Sequence, residues 1–330
     1  SRLYFKWNSM NFKKPNIIFM GTAGFGIPTL DLINKNYNLK AIITNHDKPS
    51  GRGLKIKNSP VKDYAIKNNI SFYQPKNLKN LDFIEVIKDL NPDFIIVVAF
   101  RMIPESIWRI PKFGTINLHA SLLPNYRGSA PINWVLINNE NQTGITSFFI
   151  DKNIDTGDIL FQQKIKIDER INAGDLHDKL QYLAAEVTEK TIDGILKNEL
   201  KPVKQVAISN LKTAYKFDKK NIQIDWDNDA LSIYNKIRGL DPFPGARTTL
   251  YLNIEKEEKK LLIYKSEYII EKHNYKTGNV IVSGGVLKVS CNNGYVIIKE
   301  LKVEGKKKMK TRDLLNGFRI SDNSYVKWKK

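Results

Sequence analysis

The 330-residue chain is 42% apolar and 10% aromatic, with one cysteine and a formal net charge of +19. That apolar share excludes a largely disordered chain, and no run approaches the roughly 18 apolar residues that span a bilayer. The lone Cys291 excludes an internal disulfide and a cysteine cluster for metal, which fits a soluble protein in a reducing cytoplasm.

At about 100–200 residues per domain, the length predicts two domains, three at most. Residues 1–9 (SRLYFKWNS) lack the apolar stretch of a signal peptide and read as a short extension or an expression scar. Strands are expected at 16–20 (NIIFM) and 39–44 (LKAIIT), separated by a Gly-rich turn and an amphipathic run over 26–33. Ser59-Pro60 pairs an N-cap with a proline at the first helical position, opening a helix to about Asn68. The alternation continues through 70–73, a helix over 81–90, and 94–100 (FIIVVAF), whose unbroken apolar run suits a parallel strand covered on both faces. Residues 115–119 (TINLH) form a further strand that enters a loop. Such alternation predicts a doubly wound α/β sheet, which binds ligands at the carboxyl ends of its strands.

A long helix over about 173–196 precedes a Lys-rich stretch without periodicity, read as a linker. Beyond it come a helix at about 230–237 and short strands at 261–264, 279–282, 287–290 and 295–301. Gly278, Gly284-Gly285 and Asn293-Gly294 punctuate these strands, a spacing that predicts a small β-barrel.

Charge follows this division. Residues 1–200 hold 26 basic and 20 acidic side chains, whereas 201–330 hold 27 and 14. A polyanionic partner such as a nucleic acid would produce this concentration, and compositional drift in an Asn-, Ile- and Lys-rich chain would inflate its total.

Two segments could carry chemistry. In GTAGFG (Gly21, Gly24, Gly26) the glycines do not follow the G-x-G-x-x-G order. No acidic residue ends the second strand, so a tight turn with close helix packing is favoured over a dinucleotide site. The denser segment is 115–158. Asn117 and His119 are two apart on a strand, so both side chains point to the same side. Asp155 lies in the polar turn 153–158 and could fold back to orient or charge the imidazole. It could equally be a simple turn former.

The run N-L-H-x-S-L-L-P-x-Y-R-G-x-A-P-I from Asn117, followed by T-G-I-T and D-T-G-D, resembles the 10-formyltetrahydrofolate-dependent formyltransferases. This resemblance implies a Rossmann-like doubly wound domain over 10–200 with Asn117, His119 and Asp155 as catalytic residues. It also implies folate contacts by Ser121, Leu122, Leu123 and Pro124, with 10-formyltetrahydrofolate as formyl donor and no metal. APINWVLIN (130–138) would also suit members that formylate amino-sugar nucleotides. HDKPSGRG (46–53), centred on Arg52, and VEGKKKMKTRDLLNGF (303–318) instead resemble the branch whose acceptor is methionyl initiator tRNA. The branch implies a basic linker over 201–217 and an OB-like tRNA-binding domain over 218–330. Arg52, Lys306, Lys307 and Lys308 would contact tRNA, with Lys201, Lys204, Lys212 and Lys310 near its phosphates. FRMIPES (100–106) lacks a glycine frequent after the aromatic residue in that branch. A monomeric enzyme away from membranes is expected. Asn117 would stabilise an oxyanion, and His119 would act either as a general base or as a cation, with Asp155 in support.

Overall fold

The computed structural model describes residues 13–50, 55–206 and 208–328, so the 1–9 extension and Arg52 lie outside the described residues. The chain forms two compact units, which are not successive stretches of sequence. One is drawn from residues 1–119, 145–163 and 181–206, and the other from 120–144, 164–180 and 207–330.

A seven-stranded sheet organises the first unit, in the order Ile159–Lys166, Gln142–Phe149, Thr115–His119, Phe94–Val98, Asn16–Gly21, Asn38–Ile43, Phe72–Tyr73. The strands from Thr115–His119 to Phe72–Tyr73 pair in parallel, and Gln142–Phe149 runs antiparallel to Thr115–His119. Strand order reverses between Asn16–Gly21 and Phe94–Val98, where Gly21 pairs with Val98. A side chain at Gly21 would press on Phe19 and on the Val98 carbonyl at 2.9 Å, so this turn needs glycine for close packing. Ser59 caps the helix Pro60–Lys67 by accepting from the Lys62 N–H at 3.1 Å. Helix Leu81–Asp89 lays Phe83, Ile84 and Ile87 against Ile18, Met20, Ile95 and Val97 of the sheet. All five residues of Phe94–Val98 are buried, as a strand covered on both faces requires.

The antiparallel pair Gln142–Phe149 and Ile159–Lys166 is absent from the sequence expectations. Residues 143–148 are all buried, so no alternation marks the first of them as a strand. Here the chain's doubly wound sheet gains an antiparallel flank, and the hairpin carries the polar turn of Asp155.

The second unit holds a barrel-like sheet. Strands follow in the order Val280–Ser283, Val286–Cys291, Gly294–Val303, Glu257–Ile270, Ala246–Leu252, Tyr325–Lys327. The two ends of that path meet: Val326 N donates to Gly278 O at 2.8 Å, and Val280 N donates to Ser324 O at 3.0 Å. Closure removes the open edges that would otherwise template association. Helix Ala230–Leu240 contributes Ile233, Ile237 and Leu240 to the core, beside the fully buried Trp226. Strand Ala246–Leu252 escapes a reading by periodicity because a threonine, Thr248, occupies an inward position. Its hydroxyl is buried there and accepts from the Trp226 indole N–H at 3.0 Å. This arrangement of a Rossmann-like α/β unit and an OB-like barrel matches the sequence expectation. Among the described residues, no helix is long and apolar enough to cross a membrane.

Candidate active site

Strand Thr115–His119 lies beside the reversal point, and its last residues face the region where doubly wound sheets bind ligands. Asn117 pairs with Val97 on one neighbour and Phe148 on the other, and His119 pairs with Thr146. Pairing on both sides of Asn117 and on one side of His119 therefore fixes the two side chains on one face. The His119 side chain is 8% exposed and that of Asp155 is 11% exposed.

Asp155 is 36 positions further along the chain, yet its Oδ2 lies 3.8 Å from His119 Nδ1. That separation falls within ion-pair reach and outside a direct hydrogen bond. The turn that brings it there is assembled locally. Asp151 accepts from Asn153 N at 2.9 Å and from the Thr156 hydroxyl at 2.7 Å, while Phe149 N donates to Asp158 O at 3.0 Å. Asp155 itself adopts a left-handed backbone, φ +55. Gly157 is a steric requirement: a Cβ there would sit 1.6 Å from the Phe149 carbonyl oxygen.

The Asn117 carboxamide oxygen is buried without a hydrogen-bond partner among the described residues. An unpartnered buried acceptor is costly in a stable fold and marks a group kept for another purpose.

The other sequence-derived candidates lie as follows. In the second unit, Ser121 is buried and donates to Asn125 O at 2.7 Å, Leu123 is buried, and Leu122 and Pro124 are half-buried. The segment just after them is tied to the end of the linker. Tyr126 N donates to Lys212 O at 2.6 Å, and Arg127-Gly128 pairs in parallel with Thr213-Ala214. The Lys212 ammonium pairs with Glu140 at 2.5 Å, so a carboxylate already partly satisfies that cation. Burial, aided by Glu140, pushes the Tyr126 phenol above its ordinary pKa.

The basic residues of the second unit differ in their commitments. Lys306 lies over the Phe318 ring, 5.1 Å from its centroid. Lys308 reaches Glu300 at 3.0 Å, Asp241 at 3.8 Å and the face of Tyr264. Lys307 is exposed, as are Lys201 and Lys204 of the linker. In the first unit, Lys48–Ser50 and Lys55–Lys57 pair as an antiparallel hairpin flanking the Arg52 position. Its base is anchored where Asp47 accepts from Lys62 and Gln74, which holds the Asp47 carboxyl below the usual carboxylate range. Among the described residues, no group of three or more His, Cys, Asp and Glu side chains could hold a metal ion.

Sequence reasoning missed Gln205 and Asp151, which shape the turn of Asp155. Their signals are weak by nature, because a glutamine in a basic linker and polar residues in a turn are both common.

A family signature described as formyl transferase matches residues 16–192, and one for the formyl transferase C-terminal domain matches 216–319. A methionyl-tRNA formyltransferase from Flavobacterium johnsoniae is 44% identical over 315 residues, covering 95% of this chain and 99% of its own. Another from Clostridium novyi is 42% identical over 316 residues, covering 94% of this chain and 99% of its own. Among solved structures, an N-formyltransferase from Helicobacter canadensis, in complex with folinic acid and dTDP-3-aminofucose, shares the fold. Its TM-score is 0.61 at 23% identity, over 90% of this chain and 100% of that one. HypX from Aquifex aeolicus, in complex with tetrahydrofolic acid, matches with a TM-score of 0.60 at 16% identity. That match covers 93% of this chain and 48% of HypX, so the chain spans about half the length of HypX. With both signatures matched and full-length relatives above 40% identity, the chain belongs to the formyl transferase family, and within it to the methionyl-tRNA formyltransferases.

Proposed function

We propose that this chain transfers a formyl group from 10-formyltetrahydrofolate to the α-amino group of methionyl initiator tRNA. The observation that carries the reading is the geometry at the end of strand Thr115–His119: a half-buried amide with its oxygen buried, beside a buried histidine and the half-buried Asp155 within ion-pair reach of it. Near-complete coverage of relatives named methionyl-tRNA formyltransferase supports the choice of acceptor. Relatives that act on amino sugars share the fold at much lower identity.

The chemistry follows from what each side chain can do. Only a neutral amine attacks a carbonyl, so a proton must leave the substrate nitrogen as the new C–N bond forms. With its Nδ1 3.8 Å from the Asp155 carboxylate, the imidazole is read as the base that takes the amine proton. Attack places negative charge on the formyl oxygen, and the Asn117 N–H₂ donates to it. Collapse breaks the bond to N10 of the folate, and His119 returns the proton to that nitrogen. Asp155, within ion-pair reach, offsets the positive charge of the imidazolium in between. No covalent enzyme intermediate is needed.

Ser121, Leu122, Leu123 and Pro124 are read as the folate-contacting segment, with apolar and backbone contacts to the pterin. The orphaned Asn117 oxygen and the apolar strand ends beside it suit a site that receives a donor molecule. Residues 10–200 are read as the catalytic domain, 201–217 as the linker and 218–330 as the tRNA-binding domain, in keeping with the two family signatures. Arg52, Lys306, Lys307 and Lys308 are read as tRNA contacts that position the acceptor end without reading sequence. The enzyme is read as a cytoplasmic monomer, a state that light scattering checks.

Incubation with radiolabelled 10-formyltetrahydrofolate and, in parallel, methionyl initiator tRNA or a dTDP-amino sugar tests the reading. Label should pass to the tRNA-bound methionine. Label on the sugar alone would overturn it.

A further inference from the structure

The linker leaving the helix Ala173–Leu196 is more than a tether. Its Val203 forms an antiparallel bridge with Ile159, with N–H···O bonds of 2.8 Å in both directions. Two residues later, the Gln205 Nε2 donates to two carbonyls of the catalytic turn: Asp155 O at 2.9 Å and Gly157 O at 2.9 Å. An amide nitrogen carries two hydrogens, so one side chain satisfies both acceptors. The bonds close across 50 and 48 positions of sequence. One of the two acceptors belongs to Asp155 itself, whose left-handed backbone a non-glycine adopts at a cost.

From this geometry we infer that Gln205 is a positioning residue for catalysis, pinning the 155–157 turn so that the Asp155 carboxylate stays within reach of His119. The inference rests on the proposed roles of Asp155 and His119. The Val203 bridge sets where the Gln205 side chain begins, and the two carbonyls set where it ends. Without the amide, the turn keeps its Asp151 contacts but loses the clamp on both sides of Thr156. Asp155 then samples positions in which its carboxylate no longer holds the imidazole. A misplacement of about 1 Å in a catalytic group can lower a rate by about 100-fold.

The test compares Gln205→Ala, Gln205→Glu and Asp155→Ala, with the double variant Gln205→Ala/Asp155→Ala, in the full-length chain. Initial rates of formyl transfer are measured across folate and tRNA concentrations, together with the thermal midpoint. Gln205→Ala should lower kcat by about 10- to 100-fold, with KM for both substrates and the thermal midpoint near wild type. Gln205→Glu keeps the shape but turns a carboxylate toward two carbonyl oxygens. Its rate relative to wild type should therefore be lowest at alkaline pH and rise as pH falls, because the protonated acid regains one donor. In the Asp155→Ala background, Gln205→Ala should cost nothing further, since interacting residues are non-additive. Wild-type kcat in Gln205→Ala, with Asp155→Ala impaired, overturns this proposal alone. So does a pH-independent ratio for Gln205→Glu, which also serves if the alanine variant misfolds. Full activity in Asp155→Ala overturns the catalytic reading, and this proposal with it.

Discussion

Gly157→Ala is the sharpest test of how the turn proposed to carry Asp155 to His119 is built. The added methyl would lie 1.6 Å from the Phe149 carbonyl oxygen and 2.8 Å from its carbon. Side-chain carbons do not approach backbone closer than about 3.0 Å, so the overlap is 1.4 Å short of tolerable. Phe149 cannot retreat cheaply, because it pairs with Ile116 in the sheet and its N–H donates to Asp158 O. The turn must therefore move, and it carries Asp155 two residues before the substitution. Overpacking of this kind costs about 1–3 kcal/mol, a drop of a few degrees in the thermal midpoint. A displacement of that size at Asp155 should lower kcat by about 100-fold while leaving folate affinity nearly unchanged. Differential scanning fluorimetry and steady-state formyl transfer, run on one preparation, separate the two effects. An alanine variant that keeps wild-type kcat would refute the argument that the 155–157 turn sets the catalytic geometry.

Asn117→Ala removes the donor proposed for the transition state, so kcat should fall about 100- to 1,000-fold with folate binding, read by fluorescence titration, nearly intact. Asp241 is half of a buried contact. Asn172 Nδ2 donates to its Oδ2 at 2.7 Å, and its Oδ1 has no hydrogen-bond partner among the described residues. Burial raises its pKa, so the folded state favours the protonated acid, and that stability is present at low pH and lost as pH rises through the folded-state pKa. Asp241→Asn should therefore raise the thermal midpoint at neutral pH, with the gain shrinking toward acid pH; an equal gain at every pH would contradict this. Binding of tRNA should weaken steeply with salt, and Lys307→Ala should lower the slope of log K against log salt by about 1. A flat salt response would remove the electrostatic role assigned to the basic second half.

Two of the candidate site residues were legible in the sequence because a local rule ties them together. Asn117 and His119 share a face through the two-residue period of a strand, and the Ser59-Pro60 helix start is a backbone-level signal that the structure reproduces. The buried strand Phe94–Val98 was legible from its unbroken apolar run. The length of the 115–158 motif identified the family by resemblance, and the concentration of charge beyond residue 200 pointed to a polyanion.

What remained hidden depends on long-range contact. The hairpin strand Gln142–Phe149 is buried along both faces, so it has no alternation to betray it. Thr248 takes a core position because Trp226 supplies its hydrogen bond from 22 residues away. Residues 120–144 and 164–180 group with the second unit through packing that no local pattern encodes. The sequence alone named the candidate side chains and many of the strands and helices. Only the tertiary structure decided that Asp155 reaches His119 and that Gln205 clamps its turn, because those distances are set by sheet register and a linker bridge between residues far apart in the chain.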